Sequence, residues 1–172
     1  MRTVAECEEM FATWLDAHQG IVGRVASSFA RTAGERKELE HEMLLQVWRS
    51  LPRYAGDAKP STWIYRVSLN TAISWTRQKQ RHGAWEEIGE IAGEGDAPSE
   101  AAANREDLAL LYAGIRRLPA GERALLLLSL DDVSYREISE ITGLTENHVG
   151  VALTRARKRL GQVMKGTIDE LE

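Results

Sequence analysis

The sequence predicts an all-α protein of two small helical domains joined by a flexible linker, the C-terminal one a helix-turn-helix. Apolar residues recur at three- and four-residue spacing along most of the 172 residues, which is typical of amphipathic helices. Only 4 prolines interrupt this pattern, and proline is the residue that most disrupts helices. Residues 83–104 contain glycines, Pro98 and many acids with little periodicity. They therefore predict a linker between a domain 1–82 and a domain 105–172.

Apolar stripes predict three helices in the first domain, over residues 4–30, 35–51 and 61–79. We expect a break in the first helix near Gly20 and Gly23. The second helix has a wide apolar face, one row of which consists of Leu39, Met43 and Val47.

The second domain has the layout of a helix-turn-helix. Ser134 and Glu137 fit a capping box, in which each side chain accepts a hydrogen bond from a free backbone N–H. Gly143 permits the sharp turn that follows, and Thr145 can cap the next helix. The buried face of that helix is predicted at Val149, Leu153, Ala156 and Leu160.

The second helix of such a motif enters the major groove. Its outward residues here are Asn147, His148, Gly150, Val151, Thr154, Arg155 and Lys158. Asn147 and His148 can read base edges, and Val151 can touch a thymine methyl. Arg155 and Lys158 can bind phosphate. A plain pair of packed helices is the simpler alternative, but the capping box, turn glycine and basic tail together favour DNA binding.

The net charge of −4 conceals two basic segments without acids, residues 63–82 and 154–165. In the first segment and the loop before it, aromatic residues lie near cations, a combination typical of single-stranded nucleic-acid binding. The aromatic residues are Tyr54, Trp63, Tyr65 and Trp75, and the cations are Arg66, Arg77, Lys79 and Arg81. Because tryptophans are largely buried, a core position is favoured for Trp75 and stays open for Trp63.

Catalytic and metal-binding patterns are incomplete. His41 and Glu42 begin a zinc-protease motif, but its closing position is Leu45, and Glu38 with His41 forms only half of a di-iron motif. We therefore expect neither an enzyme, a metal site nor a cofactor. Cys7 is the single cysteine and is expected to be a small buried residue. The first residues resemble no signal peptide and no apolar run could span a bilayer, so we expect a cytoplasmic protein without membrane insertion.

Taken together, the motifs resemble the extracytoplasmic-function branch of the sigma-70 family of bacterial RNA polymerase sigma factors. In the first domain the similarity lies in Glu38-Leu39-Glu40-His41-Glu42 and in the stretch from Tyr54 to Asn70, where Thr62-Trp63-Ile64-Tyr65-Arg66 is most specific. In the second it lies in Leu118-Pro119, Arg123, Tyr135-Arg136-Glu137-Ile138 and Arg155 to Leu160. The chain has His41 where the family often has glutamine, and Gly150-Val151-Ala152 where it has a basic block.

The resemblance implies a factor that binds core RNA polymerase, directs it to promoter DNA and performs no chemistry itself. It implies a polymerase-binding helix with Glu38, Leu39, His41, Glu42 and Leu45. The first domain would melt and read the minus-ten element with Tyr54, Lys59, Ser61, Trp63, Arg66, Asn70 and Arg77. The second would read the minus-thirty-five duplex with Thr145, Asn147, His148, Val151, Thr154, Arg155 and Lys158. An anti-sigma factor is a further implied partner.

Two other functions stay open at the level of sequence. One is a helix-turn-helix regulator whose first domain senses a ligand or partner and which binds duplex operators without polymerase. The other is a helical metalloenzyme that uses Glu38, His41 and Glu42. Metal analysis of the purified protein distinguishes the second from the sigma-factor interpretation.

Overall fold

The computed structural model describes residues 2–82 and 100–171, and all regular structure in these two ranges is helical. Seven α-helices follow one another: α1 (Val4–Phe29), α2 (Ala33–Ser50), α3 (Pro60–Arg81), α4 (Glu100–Arg116), α5 (Ala120–Leu130), α6 (Tyr135–Thr142) and α7 (Glu146–Leu171). A short 3-10 turn, Leu51–Arg53, follows α2. The predicted all-α class is confirmed. Most of the predicted linker, residues 83–99, lies outside the described residues, and residues 100–104 belong to α4.

Side-chain caps fix the starts of several helices. Thr3 and Glu6 form a capping box at α1, and the Thr32 hydroxyl accepts from the Glu35 amide at 3.1 Å at α2. These oxygens satisfy backbone N–H groups that have no partner within the helix. The cap residues therefore explain where these helices begin.

Helix α1 is kinked at His18, where φ is −131° and ψ is 29°. The sequence predicted a break near Gly20 and Gly23. The nonhelical backbone angles fall at His18 instead, on the N-terminal side of both glycines. Gly20 lies beside the Arg24 side chain. A Cβ there would collide with the guanidinium of Arg24, which folds back along the helix.

The buried residues of α1, α2 and α3 form the core of the N-terminal half, residues 2–82. The row predicted on α2 lies there, with Leu39, Met43 and Val47 all at 1% exposure or less. Cys7 is buried as expected. In the C-terminal half, residues 100–171, α5 packs on α7, and the predicted buried face of α7 is confirmed at Val149, Leu153 and Ala156.

The two halves pack against each other. Helix α1 contacts α4 and α5, and α3 contacts α5 and α6. One continuous cluster of buried apolar residues includes both Phe29 of α1 and Leu128 of α5. The interface brings the start of the helix-turn-helix next to the predicted minus-ten segment. Among the described helices, none combines the length and apolarity required to cross a bilayer.

Candidate nucleic-acid and partner interfaces

The turn between α6 and α7 has the geometry that the sequence predicts. Ser134 and Glu137 form the capping box of α6, and Gly143 ends that helix with a φ of 77°. This left-handed conformation strains residues with a Cβ, so glycine suits the position. The Thr145 hydroxyl accepts from the His148 amide at 3.2 Å and caps α7. These contacts fix the angle at which α7 leaves α6.

Helix α7 turns one face into the core and the other into solvent. Val149 and Leu153 have no exposed surface. All the residues predicted to read the minus-thirty-five element lie on the exposed side, namely Thr145, Asn147, His148, Val151, Thr154, Arg155 and Lys158. Their spacing of three, four and seven residues places those within α7 along one side of the helix. The structure therefore brings this predicted set together.

The four basic residues of α7 near its middle have two orientations. Arg157 donates to the Ser129 hydroxyl at 2.7 Å, and Arg159 pairs with Glu122 at 2.9 Å. Both contacts are with α5. Arg155 and Lys158 are exposed on the side away from the buried residues. The basic tail thus consists of two cations that stabilise the fold and two that face solvent.

Gly150 lies next to Tyr135 in the middle of the exposed side. A Cβ at this position would lie 3.4 Å from the ring of Tyr135 in α6. The Tyr135 ring is 42% exposed. An aromatic ring therefore occupies the space beside Gly150, a contact that the sequence pattern did not indicate.

Tyr54 and Trp63 form an aromatic pair at the predicted minus-ten surface. Their ring centroids are 5.2 Å apart in an edge-to-face arrangement, and Tyr54 packs in the same way on Trp14 at 4.8 Å. The Tyr54 hydroxyl donates to the Ala58 carbonyl. Tyr54 is 9% exposed, so its ring supports the surface more than it forms it. The predicted stacking role of Tyr54 requires a rearrangement of this pair.

Trp63, whose position the sequence left open, is half-buried. Its indole N–H donates to the Ser50 hydroxyl at 2.8 Å, and the Arg66 guanidinium lies 5.9 Å from its ring centroid. Trp75 is 7% exposed, which confirms the favoured core position. Asn70 and Arg77 are exposed on α3.

The two cations nearest the minus-ten loop contact the C-terminal half. Lys59 Nζ lies 2.6 Å from Glu137 Oε1, and Arg66 donates to the Glu140 carbonyl at 2.7 Å. The hydrogen bond from Lys59 holds the pKa of Glu137 below its usual value, and Glu137 in turn raises the pKa of Lys59. Ser61 lines the cleft beside these contacts. The structure thus places three predicted minus-ten residues against or beside α6.

Four of the five residues predicted to bind polymerase share one face of α2. Glu38, His41, Glu42 and Leu45 are spaced by three or four residues, and Leu45 is 40% exposed. Lys79 lies 3.6 Å from Glu38, and Gln46 donates to Glu42 at 2.7 Å. Leu39 differs, because it has no exposed surface and lies in the core. The prediction that Leu39 contacts a partner directly is corrected accordingly: in this structure it holds α2 in place.

The described residues contain no group of three or more histidine, cysteine, aspartate or glutamate side chains arranged to hold a metal ion. Glu38, His41 and Glu42, which the metalloenzyme alternative would use, lie on the face of α2 that is predicted to bind polymerase.

Comparison with known proteins identifies two family models in the order of the two halves. Residues 14–82 match the model for sigma-70 region 2, and residues 108–160 match the model for sigma-70 region 4. Together the matches cover well over half of the chain.

Curated relatives and solved structures agree with these matches. The ECF RNA polymerase sigma-E factor of Escherichia coli is 29% identical over 151 residues, covering 80% of this chain and 78% of that protein. The ECF RNA polymerase sigma factor SigG of Mycobacterium tuberculosis is 24% identical, over 80% of this chain and 44% of that longer protein.

Two solved structures share the fold at 19% sequence identity and a TM-score of 0.67. One is CnrH in complex with the cytosolic domain of CnrY, with 92% of this chain and 90% of CnrH covered. The other is the sigma factor RpoE in complex with the anti-sigma factor NepR from Bartonella quintana, with 94% and 98% covered. From the paired region 2 and region 4 models, the sigma-factor relatives and the shared helical fold, we conclude that the chain belongs to the extracytoplasmic-function branch of the sigma-70 family.

Proposed function

We propose that this chain is an alternative sigma factor in which residues 1–82 bind polymerase and read the melted minus-ten element, while residues 105–172 read the minus-thirty-five element as duplex. The observation that carries this division is the exposed side of α7, where Arg155 and Lys158 flank the base-reading positions opposite the buried Val149 and Leu153. A helix presented in this way suits the major groove of a duplex. The predicted linker between the two units is shorter at its end, because residues 100–104 begin α4.

The first unit supplies a different surface. Trp63, Asn70 and Arg77 combine an aromatic ring, an amide and a cation, which suit unstacked bases and their backbone. Flipping a base out of the stack costs a few kcal/mol, which contacts to that base must offset. We assign this task to the loop 54–61 and α3.

Helix α2 is the proposed polymerase contact. Glu38, His41 and Glu42 offer polar groups around the exposed Leu45, and Leu39 anchors the helix from beneath. The chain itself performs no chemistry, because polymerase makes the RNA. We therefore place it in the cytoplasm, with polymerase and promoter DNA.

An anti-sigma factor is a proposed third partner. Both similar solved structures were determined as complexes, and NepR is named as an anti-sigma factor of the RpoE to which it is bound. A pull-down of the tagged chain from its own cells, with mass spectrometry, should recover a dedicated inhibitor as well as polymerase subunits. Recovery of polymerase alone would remove this partner.

Run-off transcription with purified core polymerase on a library of promoter fragments tests the main proposal. We expect promoter-specific transcripts only when the chain is added, and their loss with Glu42→Lys because a cation replaces a carboxylate on the polymerase face. Glu8→Lys makes the same charge change on an exposed part of α1 and should preserve transcription. Silence of the unmodified chain, together with duplex binding by the chain alone, would favour a helix-turn-helix regulator instead.

A further inference from the structure

Residues 150–152, in the middle of α7, carry no hydrogen-bonding side chain. Gly150 has no side chain at all, and Val151 offers only methyl groups and is 46% exposed. Ala152 is partly buried against the core. An arginine or lysine in this stretch could donate to guanine O6 and N7 in the major groove, but none of these three residues can. Any base readout by their side chains therefore depends on van der Waals contact.

An aromatic ring of α6 extends this apolar stretch. A Cβ at Gly150 would lie 3.4 Å from Tyr135 Cε2, so the ring lies directly beside α7. Asn147 and Thr154, three and four residues from Gly150, are its neighbours on the helix surface. Both belong to the set predicted to read the minus-thirty-five element. The Tyr135 ring is 42% exposed and therefore borders the reading side with much of its surface in contact with water.

The backbone that carries Tyr135 is fixed relative to α7. Tyr135 is the first residue of α6 and directly follows Ser134, whose hydroxyl accepts from the Glu137 amide at 3.2 Å. The left-handed turn at Gly143 then sets the angle between α6 and α7. A contact that is arranged before binding loses less conformational freedom when the ligand arrives. The position of Tyr135 is therefore suited to recognition as well as to packing.

The chemistry of the bases identifies what such a surface can read. In the major groove all four bases present hydrogen-bonding groups, and thymine alone adds a methyl group. An apolar surface favours that methyl, because their contact removes apolar surface of both partners from water. Arg155 and Lys158 lie on the same side of α7 and can bind the phosphates beside it. The surface therefore fits duplex DNA with A·T pairs opposite residues 150 and 151.

We propose that Tyr135 and Val151 form a methyl-reading surface that selects thymine in the minus-thirty-five element, with Gly150 as the gap that admits the ring. This inference rests on the proposed function, because it assigns α7 to the minus-thirty-five duplex. It adds Tyr135 to the residues that read bases, and it names A·T pairs as the bases read by the middle of α7. Loss of one methyl contact weakens binding by about fourfold.

Replacement of thymine by deoxyuridine tests this, because it removes only the methyl group. Holoenzyme is formed from the chain and core polymerase, and its affinity for a promoter fragment that gave a run-off transcript is measured by fluorescence anisotropy. Each thymine of the minus-thirty-five element, on either strand, is replaced in turn. We expect at least one replacement to weaken binding by about fourfold. In Tyr135→Ala and in Val151→Ala, at least one such replacement should lose most of its effect, because the side chain that contacts the methyl is absent.

Two further variants serve as controls. Tyr135→Phe keeps the ring and should retain the full effect of each methyl. Arg155→Ala removes a proposed phosphate contact and no apolar one. It should therefore weaken binding to the thymine and deoxyuridine fragments by the same factor, so that their ratio is unchanged.

Each result has a distinct meaning. If no deoxyuridine weakens binding, or if its effect persists in both alanine variants, the methyl-reading surface is overturned while the sigma-factor function stays intact. Persistence in Tyr135→Ala alone would overturn the assignment of Tyr135. Absence of promoter-specific transcripts with the unmodified chain would instead count against the proposed function. If Tyr135→Ala does not fold, Val151→Ala still tests the surface, because alanine is favoured at an exposed position within a helix.

Discussion

The two candidate DNA-binding surfaces of this protein differ in how accessible they are. On α7 every predicted residue is exposed, and the buried Val149 and Leu153 hold the helix with its reading side outward. On the N-terminal half, Tyr54 is packed between two tryptophans, and Lys59 and Arg66 contact α6. The surface proposed to read duplex DNA is therefore preformed, whereas the surface proposed for melted DNA is partly covered.

This difference suits the two proposed tasks. A duplex presents its groove without prior change, so a rigid, exposed helix can bind it at once. Melted bases exist only after strand separation, and a surface that captured single strands at any time would bind other nucleic acid in the cell. We therefore expect a partly covered surface to bind such single strands less tightly than an open one.

The largest expected effect concerns the exposed surface. Replacing both Arg155 and Lys158 by alanine should lower affinity for minus-thirty-five duplex DNA by about tenfold or more, because two phosphate contacts are lost. The dependence of log affinity on log salt should become shallower by about two, at about 0.9 per lost contact. Fluorescence anisotropy over a range of salt concentrations, with duplex from a promoter that gave a run-off transcript, measures both quantities.

Arg157 and Arg159 provide the matched control. They carry the same charge on the same helix but contact Ser129 and Glu122 of α5. Alanine at both positions should change the salt dependence of DNA binding by well under half of the change that is expected for Arg155 and Lys158. Equal losses from the two pairs would mean that α7 binds DNA by overall charge and not through one side.

The buried face of α7 could be predicted from the sequence because it depends on local spacing. Val149, Leu153 and Ala156 recur at helical intervals, and the Ser134 capping box and Gly143 turn depend on neighbouring residues. The same applies to α2, where the periodicity places Leu39 in the apolar row with Met43 and Val47. The resemblance placed Leu39 at the polymerase surface, and in this structure the periodicity was the better guide.

The contacts between the halves could not be predicted in this way. Arg24 and Asp131 are 107 positions apart, and Lys59 and Glu137 are 78 apart. No local pattern indicates which acid meets which distant cation. The break in α1 was predicted near Gly20 and lies at His18, because glycine is the usual local signal for a break and histidine is not.

A smaller effect is expected from weakening the contacts that α5 and α6 make with the N-terminal half. Asp131→Asn with Glu137→Gln keeps similar shapes, and glutamine still fits the Ser134 capping box. Binding of the free chain to a single-stranded oligonucleotide of the non-template minus-ten region should tighten by roughly threefold to tenfold, because more molecules are open. Anisotropy with the labelled oligonucleotide measures this change.

Glu140→Gln is the control for that variant. Glu140 lies on the same helix, but its side chain pairs with Arg136 within α6, and only its backbone carbonyl meets Arg66. It loses one negative charge, where the double variant loses two, and it loses no contact between side chains of the two halves. If it tightens binding as much as the double variant does, the gain comes from lower net negative charge and not from opening.

The smallest expected effect is a dependence of stability on pH. The hydrogen bond from Lys59 lowers the pKa of Glu137 in the folded chain, with a further contribution from Ser134. A carboxyl whose pKa is lowered by folding stabilises the fold above its unfolded pKa, and this stabilisation is lost as pH falls through the folded pKa. The free energy of unfolding, measured by urea titration, should therefore fall below about pH 4.5, the usual value for glutamate.

Lys59→Gln separates the two causes, because it removes the lysine and retains the capping contact with Ser134. The free energy of unfolding should fall less steeply with pH in this variant than in the unmodified chain. The difference should be small, because water and salt screen the exposed Lys59. Equal slopes would mean that the pair contributes little in solution. The contact between the halves would then depend on the more buried Asp131, which pairs with Arg24 and accepts from the Tyr65 hydroxyl.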